Sequence, residues 1–428
     1  MIVWLSAALL GLLALSIPVG VVLFLLAFGI DWLVSPFPLS RGLGNLVWSS
    51  SNSATLIAIP FFVMLGELLV RSGIAMRTYA ALDRWVSWLP GGLIHANVAT
   101  ATMFSATSGS SVATAATVAT VAMPEAERLH YDPRLFSGAI AAGGTLGILI
   151  PPSINLIVYG FLTQTSIPQL FLAGLLPGLL LALAFLVVTA ILCLVRPELG
   201  GERRTFPLGQ MVRGLADLLP VVLLLSAIVG SIYAGWATPT EAAAVGVAGA
   251  LAIAAATAGV SWAMLRESLL GTVKVTAMIM LVVIGASFLN FVLASAGLGR
   301  ELQAFLTGLG LEPLPLLLVI VALYVVLGFF IETLSLMVVT IPIVVPLVVG
   351  LGYDPVWFGI LMIVLIEMAL ITPPVGLNLY VVQGARRSGH LSEVMIGAVP
   401  YALTMLAMVA ALIVLPELAL WLPRALSP

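Results

Sequence analysis

Two pairs of adjacent prolines carry the most pointed chemistry in this chain: Pro151-Pro152 in "GILIPPSINL" (147–156) and Pro373-Pro374 in "ALITPPVGLNL" (369–379). Proline has no N–H to donate, and its ring clashes with the preceding helical turn. Carbonyls just before the first pair, from Gly147 to Ile150, therefore lose their helical partners. Within a bilayer such oxygens persist only where they line a cavity or meet a ligand. At the C-terminal end of a half-helix, a small cation is their natural partner. The half-helix that restarts after the first break, with Ser153 and Asn155, turns a positive dipole end toward an anion. The second break repeats the device with Thr372, Gly376 and Asn378. The competing reading is a pair of simple kinks whose freed groups are repaired by neighbouring helices.

Hydroxyls and carboxylates supply the rest. "FSATSGSSVATAATVATV" (104–121) packs small hydroxyl residues around Gly109 between two apolar arms, with Ser108, Gly109, Ser110 and Ser111 at the bend. Each arm is shorter than a span, which predicts a re-entrant hairpin; close helix packing by small residues is the rival explanation. Further along, "GFFIETLSL" places Glu332 and Thr333 at the corresponding bend. Glu332 and Glu367 are the ionisable groups expected deepest, and intramembrane carboxylates are functional candidates by default. For Glu367, local pairing or an aqueous crevice serves equally well. Other charges read as structural. Glu67 and Arg71 sit i,i+4 on a helix, and "TPTE" (238–241) is a capping box with Pro239 at the first helical position. His95, His130 and His390 form no metal-ligand spacing, and no phosphate-binding P-loop occurs.

The elements that hold these residues are membrane helices. Of 428 residues, 62% are hydrophobic and 8% charged, with a mean hydropathy of +1.22; soluble domains carry about 25% charged residues. Sixteen basic against 18 acidic side chains exclude a nucleic-acid partner on electrostatic grounds. The single cysteine, Cys193, excludes an internal disulfide. The first 30 residues lack a basic leader and read as a retained membrane segment. Apolar stretches near 2–30, 54–70, 167–195, 217–235, 238–260, 272–294 and 395–422 approach the roughly 20 residues a span needs. The polar stretch 196–217 reads as a loop. Leu135 to Ile150 covers 16 residues, about 24 Å, short of a ~30 Å hydrocarbon core. A second piece over 153–163 completes that crossing.

Regions 89–163 and 313–385 are copies. Asp132-Pro133 and Asp354-Pro355 are 354 − 132 = 222 apart, and both proline pairs share that offset. Pro124 falls on Pro346, Tyr131 on Tyr353 and Phe136 on Phe358 in the same register. This is an internal duplication. Asp132 and Asp354 read as helix caps.

Charge inverts the copies. Arg128 and Arg134 flank the first loop, whereas 346–356 has no basic residue; 160–169 has none, whereas its twin carries Arg386 and Arg387. By the positive-inside rule the first loop and the second tail share the cytoplasmic side. Arg71, Arg77 and Arg84, and Arg196, Arg203, Arg204 and Arg213, belong there too. Inverted repeats with a site at the midplane between them are a secondary-transporter architecture. A membrane-embedded enzyme or passive scaffold finds no catalytic or metal set within the spans.

Six stretches together resemble the large membrane (M) subunit of the TRAP (tripartite ATP-independent periplasmic) transporters: "GELLVRSGIA" (66–75), "SGSSVATAA" (108–116), "AAGGTLGILIPPSINLIVYG" (141–160), "LFLAGLLPG" (170–178), "ATPTEAAAVG" (237–246) and "TPPVGLNL" (372–379). They extend over nearly the whole chain. The resemblance implies an all-α polytopic protein of the bacterial inner membrane, with two re-entrant hairpins and two broken helices. It implies an elevator-type, sodium-driven importer of organic acid anions rather than an enzyme. No cofactor beyond the coupling ions is implied. A small four-helix membrane (Q) subunit, a periplasmic substrate-binding (P) protein and bilayer lipid would be its partners. The implied division is 1–90 scaffold helices and arm, 91–165 first transport repeat, 166–312 scaffold and second arm, 313–386 second transport repeat and 387–428 a C-terminal span. Carried over, one sodium site resembles Ser105, Ser108, Gly147, Ile150 and Pro152, and the other Gly328, Ala369, Thr372 and Val375. The substrate is expected near Ser110, Ser111, Asn155, Glu332, Thr333 and Asn378. Proton coupling through Glu332 or Glu367 is the alternative. The acid itself is not legible.

Overall fold

The computed structural model describes residues 8, 9, 11, 12, 15, 17–35, 37–108, 110–202, 204–257, 259–297, 312–386 and 389–426. Gly109, Arg203 and Arg387, named above, lie outside the described residues, as do the side chains of Ser105 and Ser108. Among the described residues there are eighteen α-helices, two short 3-10 turns and no strand. Seven helices are long and apolar enough to cross a membrane, and a bent pair makes an eighth.

One group of helices forms an outer frame: α1 (Val19–Val34), α2 (Leu43–Ser51), α3 (Ala54–Arg71) and α4 (Ile74–Val86). α4 buries Ile74, Ala75, Thr78 and Tyr79 while Arg77 stays exposed, a helical period with one apolar face. The first repeat follows as α5 (Leu93–Ser108), α6 (Ser111–Arg128), α7 (Pro133–Leu149) and α8 (Ile154–Thr163). Next come α9 (Ile167–Val195), α10 (Leu208–Tyr233), α11 (Pro239–Thr257) and α12 (Trp262–Ser295). The second repeat is α13 (Pro313–Gly328), α14 (Thr333–Gly350), α15 (Pro355–Ala369) and α16 (Leu377–Ala385). α17 (Leu391–Val414) and α18 (Glu417–Leu426) end the chain.

The repeats match element by element. Asp132 accepts from the N–H groups of Arg134 and Leu135, and Asp354 from Val356 and Trp357, each with proline at the first helical position. Both proline pairs are joined by cis peptide bonds. The breaks differ in length: residues 150–153 separate α7 from α8, whereas 370–376 separate α15 from α16. α7 and α8 meet at 41°.

The two copies run opposite ways. Pro133 begins α7 beside Gly397, which abuts the Arg134 carbonyl, and Arg386 pairs with Glu393 one turn away. Pro355 begins α15 at the far end, where its carbonyl accepts from the Tyr159 hydroxyl at 2.6 Å. The basic cluster expected on the cytoplasmic side also converges. Arg77 donates to the Thr257 carbonyl at 2.9 Å, Arg204 pairs with Asp83 at 2.9 Å, and the Trp85 indole donates to the Met211 carbonyl at 2.9 Å. Burial pushes the Asp83 carboxyl up against the lowering effect of the Ser87 hydroxyl and Arg204.

The repeats also clasp one another. α6 packs on α16 and α14 on α8, so each hairpin touches the restarted half of the other copy's broken helix. The Asn378 amide of α16 donates to the Ala141 carbonyl of α7 at 3.2 Å. α9 and α17 pack against α7 and α15, with Thr189 and Tyr401 hydrogen-bonded at 2.7 Å and the Trp357 indole donating to the Leu412 carbonyl at 2.8 Å. Contact thus groups α9 and α17 with the repeats, whereas the sequence boundaries set 166–312 and 387–428 apart.

Two local expectations are corrected. The stretch 196–217 is a loop only to Pro207, because α10 already runs from Leu208, whose Gly214 and Leu218 face the interior. The apolar run 395–422 is two helices. Pro416 forces Leu415 out of the helical region (φ −127°, ψ 74°), ending α17 and starting amphipathic α18.

Candidate functional site

Both hairpin tips are helix N-termini. Ser110 accepts from the Ala113 N–H at the start of α6, and Glu332, exactly 222 residues on, accepts from Leu334 at 3.2 Å and Ser335 at 3.1 Å at the start of α14. A carboxylate here satisfies two orphan donors and complements the positive helix end. Glu332 is exposed. The tips close on a cavity of about 250 Å³ whose wall includes Ser110, Ser111, Asn155, Glu332 and Thr333. Five of the six substrate residues expected from sequence thus meet in one space. Asn378 does not: it is fully buried and spends its amide on Ala141. Its carboxamide oxygen has no partner among the described residues.

Asn155 is the best-placed donor. It occupies the second position of α8, is 4% exposed, lines the cavity, and its Nδ2 has no partner among the described residues. An unpaired buried amide costs about 1–3 kcal/mol, which an acceptor on a ligand relieves. Behind it, Ser153 caps α8 through the Leu156 N–H at 3.4 Å.

Glu367 lies on α15 and is 1% exposed. Thr333 donates to its Oε1 at 2.9 Å, while Oε2 has no partner among the described residues. Local pairing, one of the two readings open from sequence, is therefore present. Its counterpart in the first copy is Thr145 (367 − 222 = 145), buried and donating to the Ala142 carbonyl at 2.6 Å. The buried carboxylate belongs to the second copy alone.

Of the residues expected from sequence to hold sodium, Gly147, Ile150 and Pro152 lie at or beside the first break and Ala369, Thr372 and Val375 at or beside the second, while Ser105, Ser108 and Gly328 lie on hairpin helices. Gly147 ends α7 two positions before its last residue, Ile150 leaves the helix in an extended conformation (φ −86°, ψ 124°), and Pro152 lies two further on. The α5 backbone carries Ser105 and Ser108. In the second set Gly328 closes on Ala369, since a Cβ on Gly328 would stand 2.5 Å from the alanine methyl. Thr372 donates its N–H to the Ala369 carbonyl at 3.2 Å and its hydroxyl to Met368 at 2.6 Å. The Leu370 carbonyl accepts from the Asn378 N–H at 3.1 Å. The Ala369 and Leu370 carbonyls each retain a second lone pair, whereas Met368 also accepts from the Ile371 N–H. Val375 precedes the α16 N-cap, Gly376 (φ 51°).

The frame supplies the opposite wall of the cavity, through α3 and α12: Gly66, Glu67 and Val70 face Val275, Met278 and Ile279. The i,i+4 spacing predicts that Glu67 pairs with Arg71 on α3. Arg71 does bond it at 2.8 Å, yet the carboxylate also lines the cavity. The packing of α5 and α8 on α3, and of α14 on α12, brings this about, so spacing alone held no signal for it. The "TPTE" capping box is formed as expected, with the Thr238 N–H on Glu241 Oε2 at 2.8 Å.

A family model described as the "Tripartite ATP-independent periplasmic transporter, DctM component" matches residues 6–418. The chain belongs to this family. Among curated DctM-type relatives, it is 35% identical over 392 residues to the C4-dicarboxylate TRAP transporter large permease protein DctM of Pseudomonas aeruginosa, covering 90% of each chain. It is 32% identical to the sialic acid TRAP transporter large permease protein SiaM of Vibrio cholerae, covering 97% of this chain and 96% of that one. The 2,3-diketo-L-gulonate TRAP transporter large permease protein YiaN of Escherichia coli is 30% identical, with 96% of each covered. Among solved structures, the YdaH transporter of Alcanivorax borkumensis superposes with a TM-score of 0.67 at 16% identity, covering 95% and 97%. MtrF of Neisseria gonorrhoeae gives 0.56 at 14%, with 94% of each covered; at such identities the likeness is one of fold. DctM-type chains are permease subunits rather than enzymes, so this one is a multi-pass transport protein of the bacterial inner membrane.

Proposed function

We propose that this DctM-type permease imports organic acid anions by coupling their entry to sodium. The carrying observation is the cavity between the hairpin tips. It joins an orphaned Asn155 amide to the N-terminal ends of α6, α8 and α14, and proline-broken carbonyls lie immediately behind it. The amide and helix ends favour a carboxylate, and the broken ends favour a small cation. Sodium at Gly147, Ile150 and Pro152 with Ser105 and Ser108, and at Gly328, Ala369, Thr372 and Val375, would add positive charge beside the anion without any arginine at the tips. The acids named for the three relatives are all carboxylates, in keeping with this chemistry.

The transport step we propose is an elevator. The two repeats, with α9 and α17 packed on them, slide as one body against α1, α3 and α10–α12, carrying Ser110, Ser111, Asn155, Glu332 and Thr333 across the membrane. Asn378 acts inside that body, tying α16 to α7, rather than on the anion. A small four-helix membrane subunit would extend the fixed frame, and a periplasmic binding protein would deliver the acid. Proton coupling is the second reading. Glu332 serves as a two-bond helix cap, so that reading rests on the unpaired oxygen of Glu367.

The test is uptake into proteoliposomes containing the partner subunits, with succinate, N-acetylneuraminate and 2,3-diketo-L-gulonate offered under an inward sodium gradient. Uptake that vanishes when sodium is replaced by choline and survives without ATP is expected. Uptake that ignores sodium but follows a pH gradient would transfer the role to Glu367.

A further inference from the structure

Arg71 stands one hydrogen bond behind the cavity wall. Its Nε bonds Glu67 of α3 at 2.8 Å, and its Nη1 bonds Glu267 of α12 at 2.5 Å. The Glu67 carboxylate lies flat on α12 at Gly271, where a Cβ would come within 2.6 Å of its oxygen. So the wall bears an acid whose charge is partly offset from behind by a guanidinium that two carboxylates share. Glu67 lies in the last-but-one turn of α3, and the basic cluster at that end marks the cytoplasmic face. The cavity between the tips therefore extends along α3 as far as Val70, next to the Arg71 that ends the helix. An anion that leaves the cavity toward this end meets Arg71.

We propose that Arg71 is a second, transient carboxylate-binding station on the cytoplasmic exit path, and that Glu67 and Glu267 compete with the departing anion for it. This rests on the proposed anion transport. Guanidinium pairs with carboxylate through two parallel hydrogen bonds. A departing carboxylate takes the place of Glu67, which swings off Gly271 into the mouth of the cavity, and Glu67 then returns to displace it. The two acids keep the station weak, so that it draws anions out without retaining them. Among the described residues of the repeats that line the cavity, Glu332 is the one charged side chain, and it already caps α14.

Steady-state transport in proteoliposomes with the partner subunits tests this, with whichever of the three acids above the wild type carries. Arg71→Gln should lower turnover about tenfold, the value of one charge-assisted pair, and Arg71→Lys should keep more than half. The pair Glu67→Gln with Glu267→Gln should lower KM and turnover together, because an uncontested Arg71 holds its anion. A role as a mere staple between α3 and α12 makes a different set of predictions. The acid double variant would then copy Arg71→Gln with KM unchanged. That result overturns the station. Sodium-driven uptake unaltered by Arg71→Gln would also overturn it while leaving the proposed function intact. A wild type that carries none of the acids would remove both.

Discussion

At the scale of single residues, Ser110, Ser111, Asn155, Glu332 and Thr333 share one cavity. Asn155 and Asn378 looked equivalent in sequence, each at the second position of a restarted half-helix. Packing separates them, because the Ala141 carbonyl claims one amide and, among the described residues, nothing claims the other. Asn155→Ala should therefore raise KM for the transported acid about tenfold, the worth of a hydrogen bond to a charged group. Asn155→Asp should be worse, since it sets a carboxylate against the anion; initial uptake rates over a concentration series measure both. Glu367 calls for a different contrast. Glu367→Gln keeps an acceptor for the Thr333 hydroxyl and removes the charge, so sodium-driven uptake should persist. Glu367→Ala strands that hydroxyl and opens a void, and should lower the melting temperature in detergent.

At the scale of elements, caps and breakers were the legible features. Asp-Pro at the starts of α7 and α15 and the capping box at 238–241 are local instructions that act as read, and each proline pair falls where a helix breaks. What depended on remote packing was not legible. The start of α10 at Leu208 and the unequal breaks of α7–α8 and α15–α16 follow from how helices meet. Pro416 was a local breaker inside a run that hydropathy alone joined into one span. Asp132→Ala and Asp354→Ala should each cost about 1 kcal/mol. Their effects should add, because they sit at opposite ends of the bundle; chemical denaturation of the single and double variants decides it.

At the scale of the whole molecule, the antiparallel duplication was readable from one offset and a handful of arginines, because charge sidedness and repeat register are properties of the chain itself. The grouping of α9 and α17 with the repeats was not, since apolar helices look alike until they touch. Single cysteines replacing Arg128 and Gly350, in a background with Cys193 changed to Ala, should react with a membrane-impermeant maleimide from opposite sides of sealed vesicles. Labelling of both from one side would contradict the inverted architecture.

Gly138 on α7 and Gly397 on α17 meet backbone to backbone, with no room for even a methyl between them. Two rods seated that closely cannot slip past each other, so in the elevator proposed above α17 travels with the core it touches. A reporter fused behind α18 would then ride up and down with every cycle of that proposed stroke.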